Sequence, residues 1–398
     1  MIRALLVLLT IMQLFVCRVC AQSYRHFTSD NGLPSTAISY LFQDSYGFVW
    51  IATENGLVRY DGARFATFVH NDNDSTSLAH DFVTSLAQDA HGRLFVSTYV
   101  GVQMYDYATN TFTPNVVWPD GSAFDENSNQ VFCTSKGEVY SAGHSVCRVL
   151  VQENRLVANK LPMLPGVKNY SKVQEDISGQ LWIAQNGNNL LLRLRNDAIE
   201  EQYDLSLPDA SGSISDFVIT PDGAIYVMLA GKGILGYNRN TNGFDLLDGR
   251  LAAAHELRLA ARDEYLYLSS EKGFVATYNR RRNQVGENYS EFVQSIFPDC
   301  NVCQFMCDRE GNSWLGIRQK GVLMLKADHS PFRTLDLRSR DLYHIGGSGI
   351  SAIYEDQSGN IWFGTEGDGS YCLSSVTRSV VHHFRQPSTV TSFGEDAF

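Results

Sequence analysis
The chain has 398 residues, a formal net charge of −11, 44% hydrophobic residues and 19% charged ones. That apolar content excludes a disordered tail, and the acidic balance argues against nucleic acid, whose binding needs a basic stripe. Phe (22), Tyr (19) and Gly (32) are frequent while Pro (10) is scarce, which points to many short strands and tight turns.

The chain opens with an address. Arg3 precedes an apolar stretch from Ala4 to Val16. At about 13 residues it is too short for a spanning helix, which needs ~20. It fits the apolar core of a secretory leader, with Val19-Cys20-Ala21 as a small-residue cleavage site. Residues 1–21 are therefore expected to be a signal peptide, with an uncleaved anchor as the alternative. No later segment is apolar enough to span a membrane, so export to an oxidising compartment follows.

One pattern then recurs: Asp-x-x-Gly, an apolar residue and an aromatic. It reads Asp44-Ser-Tyr-Gly47-Phe-Val-Trp50, Asp89-Ala-His-Gly92-Arg-Leu-Phe95, Asp176-Ile-Ser-Gly179-Gln-Leu-Trp182, Asp308-Arg-Glu-Gly311-Asn-Ser-Trp314 and Asp356-Gln-Ser-Gly359-Asn-Ile-Trp362. Degenerate copies begin at Thr134, Thr220 and Ala261, so eight copies follow one another at 41–48 residues. An alternating apolar run precedes each Asp, as in Ala37–Phe42. A second strand follows the Gly (Phe48–Thr53), then a Gly-centred turn (Glu54-Asn55-Gly56), a third strand ending at Tyr60 and a fourth marked by Phe65 and Phe68. Four short strands per ~45 residues make one blade of an all-β propeller. Asp closes the turn by accepting backbone N–H groups two residues on, Gly supplies a positive φ, and the aromatic wedges between blades. These residues are scaffold.

Tyr24-Arg25-His26-Phe27 resembles a fourth strand placed before the first repeat. Paired with Val322–Leu325 it would close a ring, which removes sheet edges. Residues 22–328 would then be a seven-bladed propeller, and residues 329–398 the beginning of a second, incomplete one with Pro331–Thr334 as its crossing strand. A single eight-bladed ring, with Tyr24–Phe27 on Ser370–Ser374, is the alternative. Ser388–Phe398 parallels Ser75–Val83, the lead-in to a further repeat.

Outside the leader stand six cysteines: Cys133, Cys147, Cys300, Cys303, Cys307 and Cys372. Cys303 and Cys307 fall on one face of a strand, ~13 Å apart at ~3.3 Å per residue, too far to pair with each other. The six read as small core residues; a disulfide elsewhere or a metal at Cys300-x2-Cys303-x3-Cys307 is the alternative. No metal, cofactor or catalytic residue is assigned. Gly231-Lys-Gly-Ile-Leu-Gly236 matches a dinucleotide fingerprint but lacks the helix that motif requires.

Ligand contacts belong on the face that carries the turns between second and third strands, because loops held on a rigid scaffold carry function. Those turns offer Asn55, Tyr99 with Val100, Asn188, Lys232, Lys272, Arg318 with Lys320, and Asp368. Lysines at the same turn of three successive blades form a local basic sector on an acidic chain. Their plainer reading is solvated turn lysines.

The run Gly32-Leu-Pro-Ser35, Gln43–Leu57 and Arg59-Tyr-Asp-Gly62 resembles the two-component regulator propeller family, the periplasmic sensor region of hybrid two-component systems. The resemblance implies an oligosaccharide ligand, control of glycan-utilisation genes by phosphorelay, a histidine kinase partner whose motifs this chain lacks, and it leaves a homodimer open. Under it the basic sector would recognise an anionic sugar, such as a uronic acid or sulfated glycan. An exported propeller glycosidase or polysaccharide lyase, and a structural protein-interaction propeller, are the alternatives.

Overall fold
The computed structural model describes residues 24–152, 155–163, 169–185, 187–206, 213–252, 257–327, 350–366, 369–375 and 380–383. The leader, Pro331–Thr334, Asp368 and Ser388–Phe398 lie outside the described residues. The chain divides into two units, residues 1–328 and 329–398.

Among its described residues the first unit holds seven four-stranded antiparallel sheets. The first sheet is Ile38–Gln43, Val49–Thr53, Gly56–Tyr60 and Phe65–Phe68. The later sheets begin at Val83, Ser128, Tyr170, Ile214, Arg258 and Val302. The leading strand of each touches that of the next, and the seventh touches the first. The fourth strand of the seventh sheet is Tyr24–Phe27, antiparallel to Gly321–Leu325 with Tyr24 opposite Leu325 and Phe27 opposite Val322. A cycle of sheets of this kind is a β-propeller. Gly321 is needed at that seam: its φ is +88°, and a Cβ there would lie 2.1 Å from the Phe27 carbonyl oxygen.

The core is divided among seven apolar interfaces, one between each pair of neighbouring sheets. Trp50, Trp182 and Trp314 each fill one. Trp50, fully buried, packs on Val83, Leu86 and Leu94 of the second sheet. Trp314 packs on Ile38 and Leu41 of the first. The sequence reading treats Asp as a turn former and Trp as a wedge; in the structure they are one unit. Asp44 Oδ1 accepts the Tyr46 and Phe48 amides, both at 3.0 Å, and Oδ2 accepts the Trp50 indole N–H at 2.7 Å. The indole bond recurs at Asp176–Trp182 (2.9 Å) and Asp308–Trp314 (2.7 Å). At the worn turns a hydroxyl takes over: Thr134 and Thr220 Oγ1 accept the Glu138 and Ala224 amides at 3.0 and 3.1 Å.

Side chains of the leading strands stitch the cycle together. Gln304 grips the Leu41 backbone, its Oε1 2.6 Å from the amide and its Nε2 2.9 Å from the carbonyl. Ser39 donates to the Val83 carbonyl, and Ser85, Gln130, Gln174 and Asp216 accept the amides of Val131, Val173, Ile219 and Leu259. Arg262 reaches Cys307 Sγ at 3.1 Å across the last gap. Half-buried Lys172 pairs with buried Asp216 (2.9 Å) and joins the fourth and fifth sheets. The Tyr40 hydroxyl is pushed up to about 12, first by burial and then by the charge of Asp216.

The sixth sheet corrects one expectation. Ala261 does not stand in for the turn Asp; it lies inside Arg258–Arg262, and Arg262 pairs directly with Tyr265. The turn is the two-residue hairpin Asp263-Glu264, with Asp263 at φ +51°. A seven-residue helix, α1 (Ser290–Ile296), enters the seventh sheet and has no counterpart in the sequence reading. Its Val293 is buried, and Phe292 meets Tyr24 edge-on at 5.8 Å.

The second unit holds one described sheet, Ile350–Glu355, Ile361–Thr365, Ser370–Leu373 and Val380–His383. Its turn repeats the Asp–Trp unit. The Trp362 indole first, then the Asn360 and Ser358 donors, hold the Asp356 carboxyl down at about 2.

Candidate functional site
Every sequence-selected residue in the described set stands at a turn between second and third strands. Asn55, Asn188, Lys272, Arg318 and Lys320 are exposed, and Lys232 is half-buried. These turns rest on neighbouring connections. The Gly56 amide donates to the Asp81 carbonyl at 2.7 Å, Ile214 to the Asn188 carbonyl at 3.0 Å, and Gly321 to the Thr36 carbonyl at 3.1 Å. The turn backbones are therefore held while their side chains face water. The His26 ring donates to the Lys320 carbonyl at 2.6 Å, which ties that turn to the closing strand.

The basic sector is concentrated at its last member. Arg318 shares a turn with Lys320, and both Arg318 and Arg258 act on Cys303, whose thiol burial nonetheless pushes up to about 11. Cys303 donates to the Ile38 and Gly316 carbonyls, both at 3.2 Å. The six cysteines are free thiols, and among the described residues no three His, Cys, Asp or Glu side chains gather as a metal site.

Tyr99 stands apart from the lysines and is the sequence-selected side chain that lines a cleft. A space of 600 Å³ opens between the second and third sheets, walled by Tyr99, Val100, Phe124, Asp125, Glu126, Asn127 and His144. The Tyr99 ring is 52% exposed, and Phe82 backs it at 6.3 Å with only 8° between the planes. Its amide donates to the Phe82 carbonyl at 3.0 Å. On the opposite wall Phe124 rests on Trp118 at 4.8 Å. The carboxylates are already held: Asp125 Oδ1 accepts the Trp118 indole N–H at 2.9 Å, while Glu126 pairs with Lys160 at 2.7 Å and accepts from Ser145. An exposed, backed aromatic face beside positioned hydrogen-bonding groups can stack on a ring and orient its hydroxyls.

Sequence reasoning missed Phe124, Asp125, Glu126, Asn127 and His144. The first four lie on the long connection into Ser128–Cys133, outside the repeat's phase. The usable signal was Trp118 and Phe124, two large aromatics in a segment without strand alternation.

Similarity to known proteins follows the same outline. The chain aligns with the extracellular domain of a putative hybrid two component system from B. thetaiotaomicron at 18% identity and a TM-score of 0.62, covering 90% of this chain and 49% of that one. It aligns with the extracellular domain of a putative one component system from the same organism at 17% and 0.61, covering 86% and 49%. The chain thus spans about half the length of these structures. A virginiamycin B lyase from Staphylococcus aureus, solved with quinupristin, aligns at 12% and 0.60, covering 77% of this chain and 99% of the lyase. At these identities the likeness is one of fold. No curated protein matches the chain. No helix among the described residues is long and apolar enough to cross a membrane. Residues 32–55 and 344–367 match the family model described as two component regulator propeller.

Proposed function
We propose that this chain is the ligand-binding sensor region of an exported two-component signalling protein. It has no catalytic role of its own in this reading. Residues 22–328 form a seven-bladed propeller and residues 329–398 begin a second. The observation that carries the reading is the pair of regulator-propeller matches at 32–55 and 344–367. The ligand is an oligosaccharide that stacks on Tyr99 in the cleft between the second and third sheets. Asn55, Asn188 and the basic residues Lys232, Lys272, Arg318 and Lys320 extend the same face toward an acidic sugar unit. Binding there is passed to a histidine kinase that controls glycan-utilisation genes.

The test is a glycan panel read by thermal shift and by product analysis. A binding partner that stabilises the native state raises Tm by mass action. One glycan class should raise Tm with no product formed, and Tyr99→Ala should weaken binding at least about tenfold, the loss of one stacking contact, with Tm of the free protein unchanged. Turnover of any glycan would replace the sensor by an exported glycosidase or lyase. Unchanged affinity in Tyr99→Ala would move the ligand out of this cleft, and unchanged affinity for acidic glycans in Lys232→Ala/Lys320→Ala would remove the basic sector.

A further inference from the structure
A larger cleft lies elsewhere, on the outer rim where the ring closes. It measures 710 Å³ and runs between the closing strand and the first sheet. Arg25 and the turn at Asn31-Gly32 form one wall; Tyr60, Arg64 and Phe65 form the other. Its floor is aromatic. Phe27 meets Phe65 edge-on at 5.4 Å and Tyr60 at 5.3 Å, and Tyr60 meets Phe65 at 5.0 Å. Phe27 and Tyr60 are buried, while Phe65 is half-open to the cleft.

The walls are cationic. Arg25 and Arg64 are both exposed, and neither forms an ion pair among the described residues, whereas Arg93, Arg148, Arg193 and Arg280 all do. Arg25 Nη1 donates to the Tyr60 hydroxyl at 3.3 Å, which brings the guanidinium to the edge of the aromatic floor. Asp61 shares a turn with Arg64, and its Oδ1 accepts the Ala63 and Arg64 amides at 2.8 and 2.6 Å. Those two amides, ahead of the Arg64 charge, hold its carboxyl low. Asp61 thus serves its own turn, and among the described residues neither guanidinium forms an ion pair with a carboxylate. Paired guanidiniums match a carboxylate or sulfate through parallel N–H groups, and a ring face against Phe65 supplies the apolar contact. The volume suits a ligand of one or two sugar rings.

We propose that this seam cleft is a second binding site, specific for a small acidic sugar carrying a carboxylate or a sulfate ester. It does not depend on the Tyr99 cleft. Its ligand bridges Arg25 on the closing strand and Arg64 on the first sheet, so occupancy fastens the ring where its two ends meet.

The experiment is calorimetry on the full chain with four probes: a galacturonate disaccharide, N-acetylglucosamine 6-sulfate, neutral cellobiose and inorganic sulfate. One or both acidic sugars should bind and raise Tm, and which of them does so identifies the acidic group. Cellobiose should fail, and sulfate alone should bind at least about tenfold more weakly, since it lacks the ring contact. Arg25→Gln/Arg64→Gln should remove binding, while Arg64→Lys keeps the charge and retains part of it. Tyr99→Ala and Lys232→Ala/Lys320→Ala should leave binding of these small probes intact while weakening that of the longer acidic oligosaccharide that spans the sensor face, which separates the two sites. Equal binding of cellobiose, or full affinity in Arg25→Gln/Arg64→Gln with an unchanged circular dichroism spectrum, would overturn the proposal. Loss of acidic-sugar binding in Lys232→Ala/Lys320→Ala alone would overturn it in favour of the lysine sector.

Discussion

The first and sixth sheets reach the same four-stranded form by different means. In the first, Asp44 collects the Tyr46 and Phe48 amides, the Trp50 indole and the Tyr107 hydroxyl, so one buried carboxylate anchors four donors. In the sixth the Asp-x-x-Gly turn and its Trp are missing, and the two-residue hairpin Asp263-Glu264 stands in their place. Yet Leu259, Leu266, Leu268 and Tyr278 are as buried as their counterparts. Strand alternation and burial against the neighbouring sheet therefore suffice to build a blade, and the Asp–Trp unit adds stability to blades that have it.

Mutations can break that comparison in order of size. Trp50→Ala removes a fully buried wedge between the first and second sheets and should cost ~3–5 kcal/mol in chemical denaturation. Asp44→Ala keeps the wedge but strands its donors, at about 3 kcal/mol. Thr220→Ala, at a worn turn where one hydroxyl accepts the Ala224 amide, should cost about 1 kcal/mol. A loss at Thr220 as large as that at Asp44 would show that the hydroxyl and the carboxylate unit are equivalent. Asp263→Gly should change stability by less than about 1 kcal/mol, since Asp already tolerates the left-handed conformation it holds there.

The smallest effect expected is on pH. His70 lies in the connection between the first and second sheets, its Nδ1 2.6 Å from the Leu78 carbonyl and its Nε2 3.0 Å from Asp72. The Leu78 carbonyl first, and then Asp72, raise it above the ordinary histidine value of 6.5. A group whose folded pKa is raised contributes stability that is fully present below its unfolded value and is lost as pH rises through the folded one. Amide exchange in residues 69–82 should therefore be slower at pH 5.5 than expected from the intrinsic rate, and this protection should fade toward pH 8. His70→Gln should flatten the dependence; a variant with the same profile would refer it to other groups.

The architecture was legible because the repeat is periodic: each Asp predicts a turn, and the aromatic six residues on predicts an interface. The closing strand was legible for the same reason, as Tyr24–Phe27 reads as a fourth strand out of place. The sixth turn was not, because spacing alone located it and Ala261 fell at the expected position while the chain turned later, at Asp263. Tyr99 was legible because it occupies a turn in phase with the repeat. Phe124 to Asn127 were not, because an irregular connection carries no phase and three-dimensional proximity alone brings them to Tyr99.

The pairing of Tyr24–Phe27 with Gly321–Leu325 has a consequence for how the molecule is made. A polypeptide delivered amino end first presents this strand early and must keep it unoccupied while almost three hundred residues follow. Until then the last sheet exposes a bare edge and the wheel stands open, inviting a strand from a neighbouring molecule. Joining the strand directly behind Leu325 in a circularly permuted gene would make the final step local and shorten the interval in which such swapping can occur.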